Sequence, residues 1–198
     1  MAELKIYSTG EWGASPPRSS SFARQSAQGI IVHNTENANR PPLSGEAEKQ
    51  AAFRIARSIQ HDHMSRIENG VHWADTGQNF TVSRGGIIME GRHGSLSAAQ
   101  AGQVVRGAHA NSATYNRTWF GIELEGYYVT QYAMTDQQWE ALAELCAWLA
   151  FWGDFDARQV KGHRQVSSTD CPGLVMDHLD ELMRRVAVRK AEIIQEHG

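Results

Sequence analysis

Short β-branched or aromatic runs alternate along this chain with longer stretches of helical period, and that order limits the folds it can adopt. Gly29 opens the run Ile30-Ile31-Val32, which reads as a buried strand ending at His33. A helix is expected from a cap at Ser44 to about residue 64, with Ala47, Ala51, Ile55 and Ile59 along one side. Residues 79–83 and 87–90 flank Arg84-Gly85-Gly86, a hairpin pattern with a glycine turn. Residues 119–125 read as a further strand. Thr135 and Gln138 have capping-box spacing and open a helix through Trp139, Leu142, Leu145, Cys146 and Leu149. Residues 159–161 form a short strand, and 175–195 a last helix that buries Leu179, Leu182, Met183 and Val186. This order predicts the α/β class, a single-domain mixed β-sheet flanked by helices. Residues 1–27, with Ser-Pro-Pro-Arg-Ser-Ser-Ser in their midst, read as a loosely structured lead-in to a domain over 28–198. Residues 91–116, rich in Gly, Ala, Ser and Asn, read as a long functional loop.

Composition removes several function classes. With 19 Lys and Arg against 22 Asp and Glu, the net charge of −3 supplies no basic field for nucleic acid. No run reaches the roughly 18 apolar residues of a membrane span, so no membrane insertion is expected. The N-terminus lacks a charged segment followed by an apolar one, so it does not read as a signal peptide, and cytoplasmic synthesis is expected. The two cysteines differ in setting. Cys146 lies in an apolar helical pattern and reads as core, while Cys171 sits in the polar turn Ser-Thr-Asp-Cys-Pro-Gly. A disulfide between them is one option; reduced thiols, one of them a metal ligand, are the other.

The stretch Gly162-His163-Arg164-Gln165-Val166-Ser167-Ser168-Thr169-Asp170-Cys171-Pro172-Gly173 carries the sharpest chemistry. It places an imidazole and a thiol, the preferred zinc donors, eight positions apart across a turn. A third ligand must come from elsewhere, and His33, at a strand end before Asn34-Thr35, is the best-placed candidate. His61 and His63 do not suit one ion, because helix residues two apart point in different directions. No HExxH pattern is present, which argues against an unrelated zinc hydrolase.

Four blocks, in order, carry a family resemblance. They are Val32-His33-Asn34-Thr35, the stretch 73–94, the stretch 107–126 with Gly121-Ile122-Glu123-Leu124-Glu125-Gly126, and residues 161–173. Together they resemble the N-acetylmuramoyl-L-alanine amidase family, which includes peptidoglycan recognition proteins, phage endolysin amidases and cytoplasmic recycling amidases. The resemblance implies one zinc ion held by His33, His163 and Cys171, with an open fourth position. It also implies that Glu123 is the catalytic base, in the manner of the recycling enzymes. Thr169 stands where phage and recycling enzymes commonly have lysine; its hydroxyl can donate to an oxyanion but brings no charge. Gln78 stands where a tyrosine is usual, and an amide can hydrogen-bond substrate but not transfer a proton. Asn34 and His109 fall in segments that resemble the substrate-cleft wall. Arg92 matches an arginine that either touches the stem peptide or is structural, and Glu123 has the rival reading of an ion pair with Arg92 or Arg117.

The implied activity is zinc-dependent cleavage between N-acetylmuramic acid and L-alanine in peptidoglycan. The alternative is a module that binds muropeptides without cutting them. A monomer is expected, which stays in the cytoplasm unless another system releases it to the cell wall. An endolysin, a recycling enzyme and an antibacterial effector all fit a chain of this kind.

Overall fold

The structure, a computed structural model, describes residues 4–197. In chain order it contains β1 (Ile6–Tyr7), α1 (Thr9–Trp12), β2 (Arg24–Ser26), β3 (Gly29–Asn34), α2 (Gly45–Ser65), β4 (Ile67–Glu68), β5 (Val71–His72), β6 (Phe80–Val82) and β7 (Ile88–Glu90). There follow α3 (Ser95–Gln100), β8 (Gln103–Val105), α4 (Ala113–Thr118), β9 (Trp119–Leu124), α5 (Asp136–Trp152), β10 (Val160–Gly162) and α6 (Leu179–His197). Two short 3-10 segments, His163–Gln165 and Gly173–His178, join β10 to α6.

Six strands form the main sheet in the order β1-β7-β6-β9-β3-β10, and β6–β7 is its antiparallel pair. The sheet is mixed, as the sequence predicts. The β6–β7 hairpin turns where expected: Ser83 and Ile87 close it, and Gly86 takes the positive φ of 83° that the turn requires. Two-residue alternation then divides the central strands between two faces. Ile30, Val32, Phe80, Val82, Phe120, Ile122 and Leu124 join one apolar cluster with Leu142, Leu145 and Leu149 of α5 and Leu182 and Val186 of α6. Their neighbours on the other face include His33, Thr81 and Glu123, which share one register row across β3, β9 and β6.

α2 covers part of that second face; Ala51 and Ile59 are buried as expected, but the stripe is shifted around them. Its buried residues include Glu48, Ala52, Ala56, Ile59, Gln60 and His63, whereas Ala47 is exposed and Ile55 half-buried. The phase shifts because polar residues are buried there with partners distant in sequence. Glu48 takes Arg40 at 2.7 Å and Ser83 at 2.6 Å, and Gln60 bonds Ser15 and Asp75. Ser44 occupies the N-cap position without a capping side-chain bond. Thr135 does cap α5, accepting from the Gln138 N–H at 3.1 Å. Gln138 does not complete the box; its side chain bonds Tyr128, Val82 and Glu125 instead.

Two stretches are more ordered than expected. Residues 1–3 of the lead-in lie outside the described residues, but β1 pairs with β7 and Trp12 is buried, its indole N–H donating to the Glu90 carbonyl at 2.7 Å. β2 pairs with β8, so the lead-in also braces the 91–116 segment. That segment is not a structureless loop, because it contains α3, β8 and the start of α4.

Candidate metal centre

The row His33–Glu123–Thr81 ends at the carboxyl edge of the parallel strands, where loops open a cleft of about 300 Å3. The end of β3 supplies His33 and Asn34. The turn after β10 supplies His163, Thr169 and Cys171. β9 supplies Glu123, and the segment before α4 supplies His109. Gln78 joins them from the approach to β6. Of the residues assigned to the metal, to catalysis or to substrate from the sequence, Arg92 alone does not line this cleft. It is buried, and its guanidinium donates to the carbonyls of Thr76 and Arg106, each at 2.7 Å, beneath the Phe22 ring. These two bonds tie the loops at Thr76 and Arg106 together through Arg92.

His33, His163 and Cys171 each offer one ligand atom, and these atoms all lie within 4.8 Å of one another. The donor set fits zinc, which takes imidazole nitrogen at about 2.0–2.1 Å and thiolate sulfur at about 2.3 Å. The protonation states fit as well. Burial, reinforced by the neighbouring imidazoles, holds His33 well below its ordinary pKa, and burial also lowers His163. Both rings are therefore neutral and free to donate a lone pair. Burial pushes the Cys171 thiol up to about 12, so a cation is what would stabilise its thiolate. The Asn34 N–H already points at the sulfur, 3.4 Å away. Cys171 and Cys146 are both free thiols, which removes the disulfide option. Cys146 sits in the α5 core as expected.

Among the described residues, Glu123 has no ion-pair partner. Its Oε2 is buried with no hydrogen bond, and burial lifts the carboxyl to about 8 despite the opposing charge of Arg66. Neither Arg92 nor Arg117 reaches it; Arg92 is occupied as above, and Arg117 is exposed. Glu125, two residues on, has the opposite fate: Arg40 binds it at 2.6 Å. Among the described residues, the buried side-chain polar atoms without a partner are Asn34 Oδ1, Gln78 Oε1 and Glu123 Oε2, and all three residues line this cleft. Buried unpaired acceptors cost free energy, so their clustering marks a place where a ligand supplies donors. Thr169 Oγ1 accepts from the Cys171 N–H at 3.2 Å, which leaves its own proton free. His109 bonds His33 and the Trp119 carbonyl.

Among the cleft residues, Asp62 and Arg66 escape the sequence reading. With Ile59 and His63 they line the end of α2 and its C-cap, and the i, i+3, i+4, i+7 spacing of the four is the signal that groups them. His63 has the structural role expected of it, since its Nδ1 accepts the Gly77 N–H at 3.0 Å, and His61 is exposed. Trp73 forms part of the wall, with the Arg66 guanidinium 5.2 Å from its ring centre. Glu36, also on the rim, holds a positive φ of 62°.

Comparison with known proteins agrees with this geometry. A family model described as N-acetylmuramoyl-L-alanine amidase matches residues 23–174. The chain is 31% identical over 174 residues to peptidoglycan-recognition protein LB of Drosophila melanogaster, covering 87% of this chain and 66% of that one. It is 30% identical over 169 residues to peptidoglycan recognition protein 1 of Bos indicus, covering 85% and 78%. Among solved structures, a tyrosine-to-phenylalanine mutant of Drosophila PGRP-LB in complex with tracheal cytotoxin aligns with a TM-score of 0.66 at 30% identity, covering 85% and 88%. An endolysin N-acetylmuramoyl-L-alanine amidase from Clostridium intestinale aligns with a TM-score of 0.60 at 25% identity, covering 85% and 87%. By the extent of the family match and by its fold, this chain belongs to the N-acetylmuramoyl-L-alanine amidase family.

Proposed function

We propose that this protein is a zinc-dependent amidase that hydrolyses the bond between the N-acetylmuramoyl lactyl group and L-alanine in peptidoglycan. One observation carries the reading: an unpaired carboxylate oxygen of Glu123 stands in register with His33, beside a His33–His163–Cys171 donor set. Those three residues would hold the ion and leave a coordination position open, as catalytic zinc sites do. When bound, zinc supplies Lewis acidity and lowers the pKa of a coordinated water toward ~7. Glu123, in register with His33 and with Oε2 unpaired, is placed to take a proton at that oxygen from the attacking water and return it to the departing alanine amine. Thr169 can donate its free hydroxyl proton to the carbonyl oxygen as that oxygen gains charge. Asn34 Oδ1 and Gln78 Oε1 offer acceptors to the N–H groups of a stem peptide. The tracheal cytotoxin complex of the Drosophila relative supports a muropeptide as the ligand class.

A second reading, muropeptide binding without cleavage, is favoured by Gln78, which brings no proton-transfer group to the cleft wall. Zinc analysis of the purified protein, paired with mass spectrometry of digested peptidoglycan, separates the two. Cleavage releases stem peptides with a free alanine amine, and a chelator stops it. Zinc-loaded protein that binds muropeptides and releases no such amine establishes the second reading.

A further inference from the structure

His109 lines the same cleft as His33 and touches its ring. Its Nε2 is 3.1 Å from the Trp119 carbonyl oxygen, and its Nδ1 is 3.1 Å from His33 Nε2. A carbonyl oxygen can only accept, so the His109 proton sits on Nε2 and points at Trp119. The neutral ring then presents a bare lone pair at Nδ1. Only a proton on His33 Nε2 can meet it, which leaves His33 Nδ1 unprotonated. That is the nitrogen facing the Cys171 sulfur, 4.0 Å away. One backbone oxygen thus sets the tautomer of two imidazoles in sequence.

The protein is built to hold this ring in place. A side-chain carbon on Gly121 would lie 2.5 Å from His109 Cγ, and one on Gly107 would lie 2.6 Å from His109 Cδ2. Both glycines are open slots that the imidazole fills. From α4, Asn116 Oδ1 accepts the His109 N–H at 2.8 Å and the Ala110 N–H at 2.9 Å, while its Nδ2 donates to the Ala110 carbonyl at 2.6 Å. The loop carrying His109 is therefore fixed from both sides.

We propose that His109 is a positioning residue for the metal rather than a substrate contact: it accepts the His33 Nε2 proton and so commits His33 Nδ1 to the ion. The proposal rests on the metal-centre reading above, but its test needs no substrate. Long-range proton–nitrogen NMR of the metal-free wild-type protein near neutral pH is expected to show both His33 and His109 with the proton on Nε2. Zinc affinity, read by competition with a chromogenic chelator, is expected to fall roughly 10- to 100-fold in His109→Phe, which keeps a ring and loses both nitrogens. His109→Gln retains an acceptor and a donor and is expected to recover most of that loss. Gly121→Ala, which displaces the ring and leaves its chemistry intact, is expected to weaken zinc binding with His109 still present. Cobalt substitution reports the same change as an altered visible spectrum. A wild-type His33 protonated at Nδ1 overturns the proposal, as does a folded His109→Phe protein with wild-type zinc affinity. Failure of the amidase reading alone would appear as normal tautomers and normal zinc affinity without product.

Discussion

The two faces of the central sheet are finished in opposite ways. Toward α5 and α6, alternate residues of β3, β6 and β9 meet leucines and alanines, and the polar group that enters, Gln138, is bonded to Tyr128, Val82 and Glu125. Toward the cleft, the intervening residues of the same strands end at His33 and Glu123, and buried acceptors are left without donors. A one-residue step along a strand moves a side chain from one regime to the other. Stability is concentrated on the closed face, and chemical capacity on the face whose hydrogen bonding is incomplete.

The largest test of this division is Glu123→Gln. It is expected to lower amide hydrolysis by roughly 10² to 10⁴ while zinc stoichiometry and thermal midpoint stay at wild-type values. Undiminished product release in this variant would break the assignment of the base. Leu142→Ala, on the closed face, is expected to do the reverse. Leu142 is 0% exposed, and its truncation should cost about 2–5 kcal/mol in denaturant unfolding with zinc affinity unchanged. A change in zinc affinity would mean that the two faces are mechanically coupled.

An acid titration sharpens the comparison at the boundary between the faces. Burial alone would raise Glu48, but bonds from Arg40, Ser83, Leu43 and Gly85 outweigh it and hold the carboxyl at about 2, against an ordinary 4.5. A depressed carboxylate stabilises the fold fully above its unfolded value and loses that contribution as the pH falls through the folded one. Wild type should therefore lose this share of stability from about pH 4.5 down to about pH 2. Glu48→Gln should be less stable at neutral pH, and the gap should close across that window. Parallel acid limbs for the two proteins would remove Glu48 as the cause. The smallest effect is expected on the outer surface, where Arg189 meets Glu144 at 2.8 Å beside solvent. Arg189→Ala should change stability by less than about 1 kcal/mol.

What the sequence makes legible follows the same physics. β3, the β6–β7 hairpin, β9 and α5 announce themselves because alternation and helical period persist long enough to be read. His33, His163 and Cys171 were within reach because metal donors are few and their family blocks are specific. The features that escaped depend on partners far away in the chain. β1 has two residues, too few for any period, and exists because β7 pairs with it. α3 has six residues, and α4 likewise, in a stretch whose small residues carry no hydrophobic rhythm. The α2 stripe is legible at Ala51 and Ile59 and not at Glu48 and Gln60, which read as surface until Arg40, Ser15 and Asp75 are brought to them. For Arg92, nothing local reveals the two carbonyls that its guanidinium meets.

The parallel pairing of β3 with β9 and with β10 also bears on how the protein comes into being. His33 emerges from the ribosome early, whereas His163 and Cys171 follow more than a hundred residues later, once β10 can dock beside β3. A nascent or proteolytically shortened chain that ends before β10 holds one of the three donors proposed for zinc, so on that proposal it cannot complete the centre. On that proposal, metal uptake reports that β3 and β10, more than a hundred residues apart in the chain, have docked.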